Sequence, residues 1–130
     1  MEQKGTLVRE YMTACPLTVS SRDSIAVASR VMRERRIRHI PVVDERRLAG
    51  MISDRDVSLV LSLEEVDPRC VTVGTVMTAD PYVVEAETPL KTVVEKMAMD
   101  RLEAAVVISG QEIAGIFTTV DALMAFSKHL

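Results

Sequence analysis

The chain has 130 residues, 48% of them hydrophobic but only 3% aromatic, so its core must be built from Val, Leu, Ile, Met and Ala. That apolar content excludes a disordered chain, and a net charge of −3 with a pI near 5.4 supplies no basic field for general nucleic-acid binding. The apolar run at residues 104–108 is too short to cross a bilayer and the opening MEQKGTLVRE lacks a signal-peptide core, so no membrane association and a cytoplasmic location are expected.

A shift of 65 residues carries Met12-Thr13-Ala14 onto Met77-Thr78-Ala79, Pro16 onto Pro81, Val42 onto Val107 and Asp56 onto Asp121, without a gap. The chain is therefore one unit written twice. Residues 1–5 read as a tail, 6–63 as the first repeat, 64–70 as a connector and 71–130 as the second repeat. In each copy an MT-x-x-P string leads to a short apolar strand at residues 17–19 and 82–84. A helix follows, with Asp23 and Thr88 as predicted N-caps and Ser24 and Pro89 in the first turn. Its buried stripe is Leu90, Val93, Val94 and Met97 in copy two and Ile25, Ala28 and Met32 in copy one, where Arg30, Arg33 and Arg36 face outward.

HIPVVD (residues 39–44) and AAVVIS (104–109) read as strands, ERR and GQE as turns, and LAGMIS (48–53) and IAGIFT (113–118) as partner strands. A last helix runs through residues 55–63 and 120–130. Val57, Val60 and Leu61, like Ala122, Ala125 and Phe126, are expected to face the sheet. Leu59, Leu63, Leu123 and Met124 are left on a second apolar face, which predicts contact with a second copy and hence a homodimer. The fold class is α+β, two β-α-β-β-α units of about 60 residues, each too small to bury enough surface alone.

Glycine, two apolar residues, a hydroxyl residue, two variable residues and an aspartate recur as GMISDRD at 50–56 and GIFTTVD at 115–121. Ser53 with Asp56, and Thr118 with Asp121, have the spacing of a capping box, and the glycine suits a close strand approach. The same geometry suits a nucleotide: a helix N-terminus and a hydroxyl for phosphate, and a carboxylate one turn in for a ribose diol. Both readings stay open, because a cap can exchange partners when a ligand arrives. Cys15 and Cys70 fall outside any CxxC spacing and read as ordinary thiols. His39 and His129 have no ligand spacing to a cysteine or to each other, so no metal is expected.

On these motifs, together with RHIPVVD before the second strand, residues 6–128 resemble a tandem pair of cystathionine β-synthase (CBS) domains, a Bateman module. The resemblance implies two repeats packed sheet to sheet about a pseudo-two-fold axis, with clefts for adenosine ligands such as AMP, ADP, ATP or S-adenosylmethionine. It implies that Asp56 and Asp121 hold ribose hydroxyls and that Ser53 and Thr118 contact phosphate. Pro16 to Val19 with His39 and Pro41, and Pro81 to Val84 with residues 104–107, would wall the adenine. No nucleophile sits beside a base and no Walker-type glycine loop is present, so the chain reads as a regulatory binding module rather than an enzyme, with no required cofactor. It would signal in trans to a protein partner that the sequence does not identify. The competing reading is a structural or dimerisation module whose clefts stay empty.

The two sites are expected to differ. Residues 1–65 carry 11 Lys and Arg against 10 Asp and Glu, and residues 66–130 carry 5 against 9. Arg38, His39, Arg55 and Pro41 of copy one become Glu103, Ala104, Val120 and Val106 in copy two, which makes copy one the better phosphate site; Asp54, against neutral Thr119, opposes this.

Overall fold

A computed structural model of the chain describes residues 5–14 and 17–130; Cys15 and Pro16, and with them the adenine-wall expectation for Pro16, lie outside the described residues. In chain order, a 3-10 turn (Val8–Glu10) precedes β1 (Thr13–Ala14), β2 (Val19–Ser20), α1 (Ile25–Arg35), β3 (His39–Asp44), β4 (Arg47–Ser53) and α2 (Asp54–Leu61). A one-turn helix α3 (Val73–Val76) then opens the second copy, followed by β5 (Val83–Glu85), α4 (Leu90–Asp100), β6 (Ala104–Ser109), β7 (Glu112–Thr118) and α5 (Thr119–Ser127). Mixed α+β architecture and the repeated β-α-β-β-α order agree with the sequence reading. The opening turns at Val8 and Val73 were not expected; both valines are fully buried.

The chain divides into two compact units. The first unit is Leu17–Pro81; the second joins Met1–Pro16 to Tyr82–Leu130. This cut differs from the sequence repeats, because the segment that opens copy one folds with copy two. In the first unit β2 runs parallel to β3, and β3 pairs antiparallel with β4, in the order β2-β3-β4. The second unit has the order β1-β7-β6-β5, with β5 parallel to β6 and the other pairs antiparallel. Both hairpins turn tightly through positive φ, at Glu45 and Arg46 in one and Gly110 in the other, as two-residue hairpin turns require.

Each unit has its own apolar core. Val19, Ile25, Ala28, Met32, Ile40, Val42 and Ile52 centre the first. Val8, Val84, Val93, Met97, Ala105, Val107 and Phe117 centre the second. Ile25, Ala28 and Met32 of α1 and Val93 and Met97 of α4 are thus buried as their periodicity predicts, Leu90 and Val94 are half-buried against the second core, and Arg30, Arg33 and Arg36 are exposed. The caps fall one residue later than predicted. Ser24, not Asp23, caps α1, its Oγ accepting the Val27 N–H at 3.2 Å, and Pro89, not Thr88, is the N-cap of α4. Asp23 instead closes the preceding turn by accepting the Ser20 N–H at 2.8 Å.

A second correction concerns the last helices. Val57, Val60 and Ala125 are buried, but Leu61 is 50% and Phe126 59% exposed, so neither faces the core. Each helix is short, and the sheet beneath covers only one narrow stripe. Leu59, Leu63, Leu123 and Met124 are exposed as expected.

Candidate functional site

The Met-Thr strings and the repeated glycines turn out to be two halves of one contact. In the first unit Met51 N–H donates to the Thr78 carbonyl at 3.0 Å, and Thr78 N–H returns a bond to the Met51 carbonyl at 2.9 Å. A Cβ on Gly50 would lie 2.4 Å from the Thr78 carbonyl oxygen and 2.8 Å from Met77 Sδ. In the second unit Thr13 and Ala14 pair with Ile116 and Gly115, and a Cβ on Gly115 would lie 2.5 Å from the Thr13 oxygen. Only glycine leaves room for that approach. The Met-Thr segment is thereby seated beside the strand that ends at the phrase's hydroxyl residue.

From Ser53 the chain turns into α2. Ser53 N–H donates to Asp56 Oδ2 at 3.0 Å, and Asp56 N–H donates to Ser53 Oγ at 3.2 Å, a reciprocal capping box. His39 is the register partner of Ser53 across the hairpin. Next to it, the Arg38 carbonyl accepts the Asp54 N–H at 2.8 Å, and Arg38 Nε lies 3.8 Å from Asp54 Oδ2. One end of the first unit's sheet therefore collects Arg38, His39, Ser53, Asp54, Arg55 and Asp56.

The second unit repeats the plan with different chemistry. Thr118 N–H donates to Asp121 Oδ2 at 2.9 Å and the Thr118 hydroxyl to the same oxygen at 3.3 Å. The Thr13 hydroxyl donates to Asp121 Oδ1 at 3.4 Å. The sequence did not single out Thr13 as a neighbour of Asp121, although its place in a string repeated in register was the signal. The Glu103 carbonyl accepts both the N–H and the hydroxyl of Thr119, at 3.1 and 3.3 Å. In each helix the leading N–H is thus already taken by a backbone carbonyl, and an anion there depends on the rest of the turn and on side chains.

The wall residues are distributed unevenly. Val19, Pro41 and Val84 are buried, Val19 and Val84 within the two cores, while His39 and Pro81 are half-buried. Arg38 and Arg55 are exposed at the site. Among the described residues no group of three or more His, Cys, Asp or Glu stands where it could hold a metal ion, and no helix is long and apolar enough to cross a membrane. Cys70 is exposed.

A β-α-β-β-α unit used twice, each copy ending its hairpin on a capped hydroxyl and aspartate, defines a tandemly duplicated α+β module. The CBS domain family model matches residues 8–63 and again 73–128, and the chain belongs to that family as a tandem pair. It is similar to Hypoxic response protein 1 of Mycobacterium tuberculosis, 28% identical over 125 residues covering 95% of this chain and 87% of that protein. The L-aspartate semialdehyde sulfurtransferase of Methanocaldococcus jannaschii is 27% identical over 97% of this chain, but over only 24% of the enzyme's length. A solved CBS domain pair, that of protein MJ0100 in complex with 5′-methylthioadenosine and S-adenosyl-L-methionine, matches with a TM-score of 0.86 at 26% identity. That match covers 96% of this chain and 98% of the other.

Proposed function

We propose that the protein is a cytoplasmic regulatory module that binds adenosine-containing ligands of the AMP, ADP, ATP or S-adenosylmethionine class and passes the binding event to a protein partner in trans. The observation that carries this reading is the pair of carboxylates, Asp56 and Asp121, placed alike at the third position of the helix after each hairpin. Each is fixed by the backbone N–H of the hydroxyl residue three positions before it. A carboxylate held this way accepts the two hydroxyls of a ribose. The hydroxyls of Ser53 and Thr118, with Arg38 and Arg55 in the first unit, suit the 5′ substituent. The MJ0100 pair, with two adenosine derivatives bound, supports the ligand class.

We further propose a homodimer through α2 and α5, where Leu59 on α2, Leu63 just past its end, and Leu123 and Met124 on α5 are exposed. A structural module without a physiological nucleotide is the competing reading, favoured by one observation: both phrases already satisfy their polar groups as helix caps. Thermal unfolding with AMP, ADP, ATP and S-adenosylmethionine decides between them. A ligand that binds the folded state alone adds about 2.7 kcal/mol at a hundredfold excess over Kd. No shift with any of the four would leave the structural reading standing.

A further inference from the structure

We infer, resting on the adenosine-binding reading above, that the two units select different ligands: the first takes a phosphorylated adenosine, and the second an adenosine whose 5′ substituent carries no net negative charge. The backbone offers both sites the same thing. In each helix the leading N–H is taken by the carbonyl of the residue just before the paired strand, Arg38 in one and Glu103 in the other. What distinguishes phosphate from a neutral group must then come from side chains.

Those side chains differ in charge. At the first unit's site stand Arg38 and Arg55 against Asp54 and Asp56, with Asp54 facing Arg38 at 3.8 Å. The equivalent positions of the second unit are Glu103 and Val120, with Thr119 and Asp121. The balance turns from even charge to two carboxylates with no cation among these positions. Val120 is 66% exposed on the first turn of α5, an apolar surface where the first unit has a guanidinium. Meanwhile the Thr13 and Thr118 hydroxyls both donate to Asp121, holding its carboxylate in place as an acceptor for a diol. Ribose recognition is therefore retained while phosphate recognition is withdrawn. A phosphate beside the second site meets like charge, and a thioether or sulfonium substituent does not.

The test is a titration of uniformly ¹⁵N-labelled full-length protein with adenosine, AMP and S-adenosylmethionine. The amides of residues 53–56 report one site and those of residues 118–121 the other. AMP is expected to saturate the first set at least about tenfold before the second, and adenosine or S-adenosylmethionine to saturate the second set at least about tenfold before AMP does. The double variant Glu103→Arg with Val120→Arg should move AMP binding at residues 118–121 towards that at 53–56, with adenosine little changed. AMP reaching both sets at one concentration, or a double variant with the wild-type order, overturns the inference while leaving adenosine binding intact. Silence of both sets towards all three compounds overturns the adenosine reading itself, and the inference with it.

Discussion

Gly50 and Gly115 carry no side chain because the carbonyl oxygens of Thr78 and Thr13 occupy the space a methyl would need. Gly50→Ala is expected to push the Met-Thr segment off β4 and to destabilise by about 1–3 kcal/mol, as overpacking does. Urea denaturation measures this, and a change below about 0.5 kcal/mol would show that the segment yields without loss. The aspartates are a different kind of residue, since each serves the fold and the proposed ligand at once. Asp56→Ala and Asp121→Ala should each weaken nucleotide binding at their own site by about 1–3 kcal/mol, the cost of stranding polar groups. Damage to the cap is limited to about 1 kcal/mol of stability, so calorimetry on the folded variants separates the two roles. Unchanged nucleotide affinity in both would rule out ribose recognition by these carboxylates.

Among the elements, α2 and α5 are the ones whose sequence exceeds what their own unit covers. On α5, Val120, Leu123, Met124 and Phe126 are all more than half exposed, and only Ala125 is buried. The copy-one equivalents of Val120 and Leu123 are Arg55 and Ser58, so α5 presents the more apolar face. Leu123→Glu should therefore shift a dimer to monomer at micromolar concentration while changing the unfolding midpoint little, since surface substitutions usually fall within about 0.5 kcal/mol. Light scattering reads the outcome. A variant that still dimerises, or a wild type already monomeric, removes α5 from the interface.

At the scale of the whole molecule, the chain builds two cores from three lengths of sequence. The second core needs Val8, fully buried, with Val8 N–H donating to the Thr88 carbonyl at 2.9 Å and Leu90 N–H to that of Thr6 at 2.7 Å. Val8→Ala removes about 1.5–3 kcal/mol of buried apolar contact. Amide exchange should show the loss first in β6 and β7, more than seventy residues from the substitution in sequence, before β3 and β4. Equal loss in the first unit, or loss confined to residues near Val8, would contradict the assignment of the N-terminal segment to the second core.

The sequence by itself determined a great deal here. The 65-residue repeat, the strand and helix order, the buried stripes of α1 and α4 and the two capping carboxylates were all legible, because period, cap spacing and self-similarity are local properties. Local signals also explain the small misses: Asp23 and Ser24 are both good caps, and only the bond geometry selects between them. Phe126 is a residue whose chemistry says core, and only the width of the sheet beneath it leaves it exposed. The Met-Thr partnership lay wholly beyond reach. Two identical Met-Thr strings and two identical Ala-Gly pairs can be matched in two ways, and a duplicated sequence favours neither. The fold uses the exchanged pairing: Thr13 joins β7, Thr78 joins the edge of β4, and each glycine meets the other copy's methionine. Tertiary structure made that choice, because which glycine meets which methionine is a contact between segments far apart in the chain, and the local preference of no residue selects it.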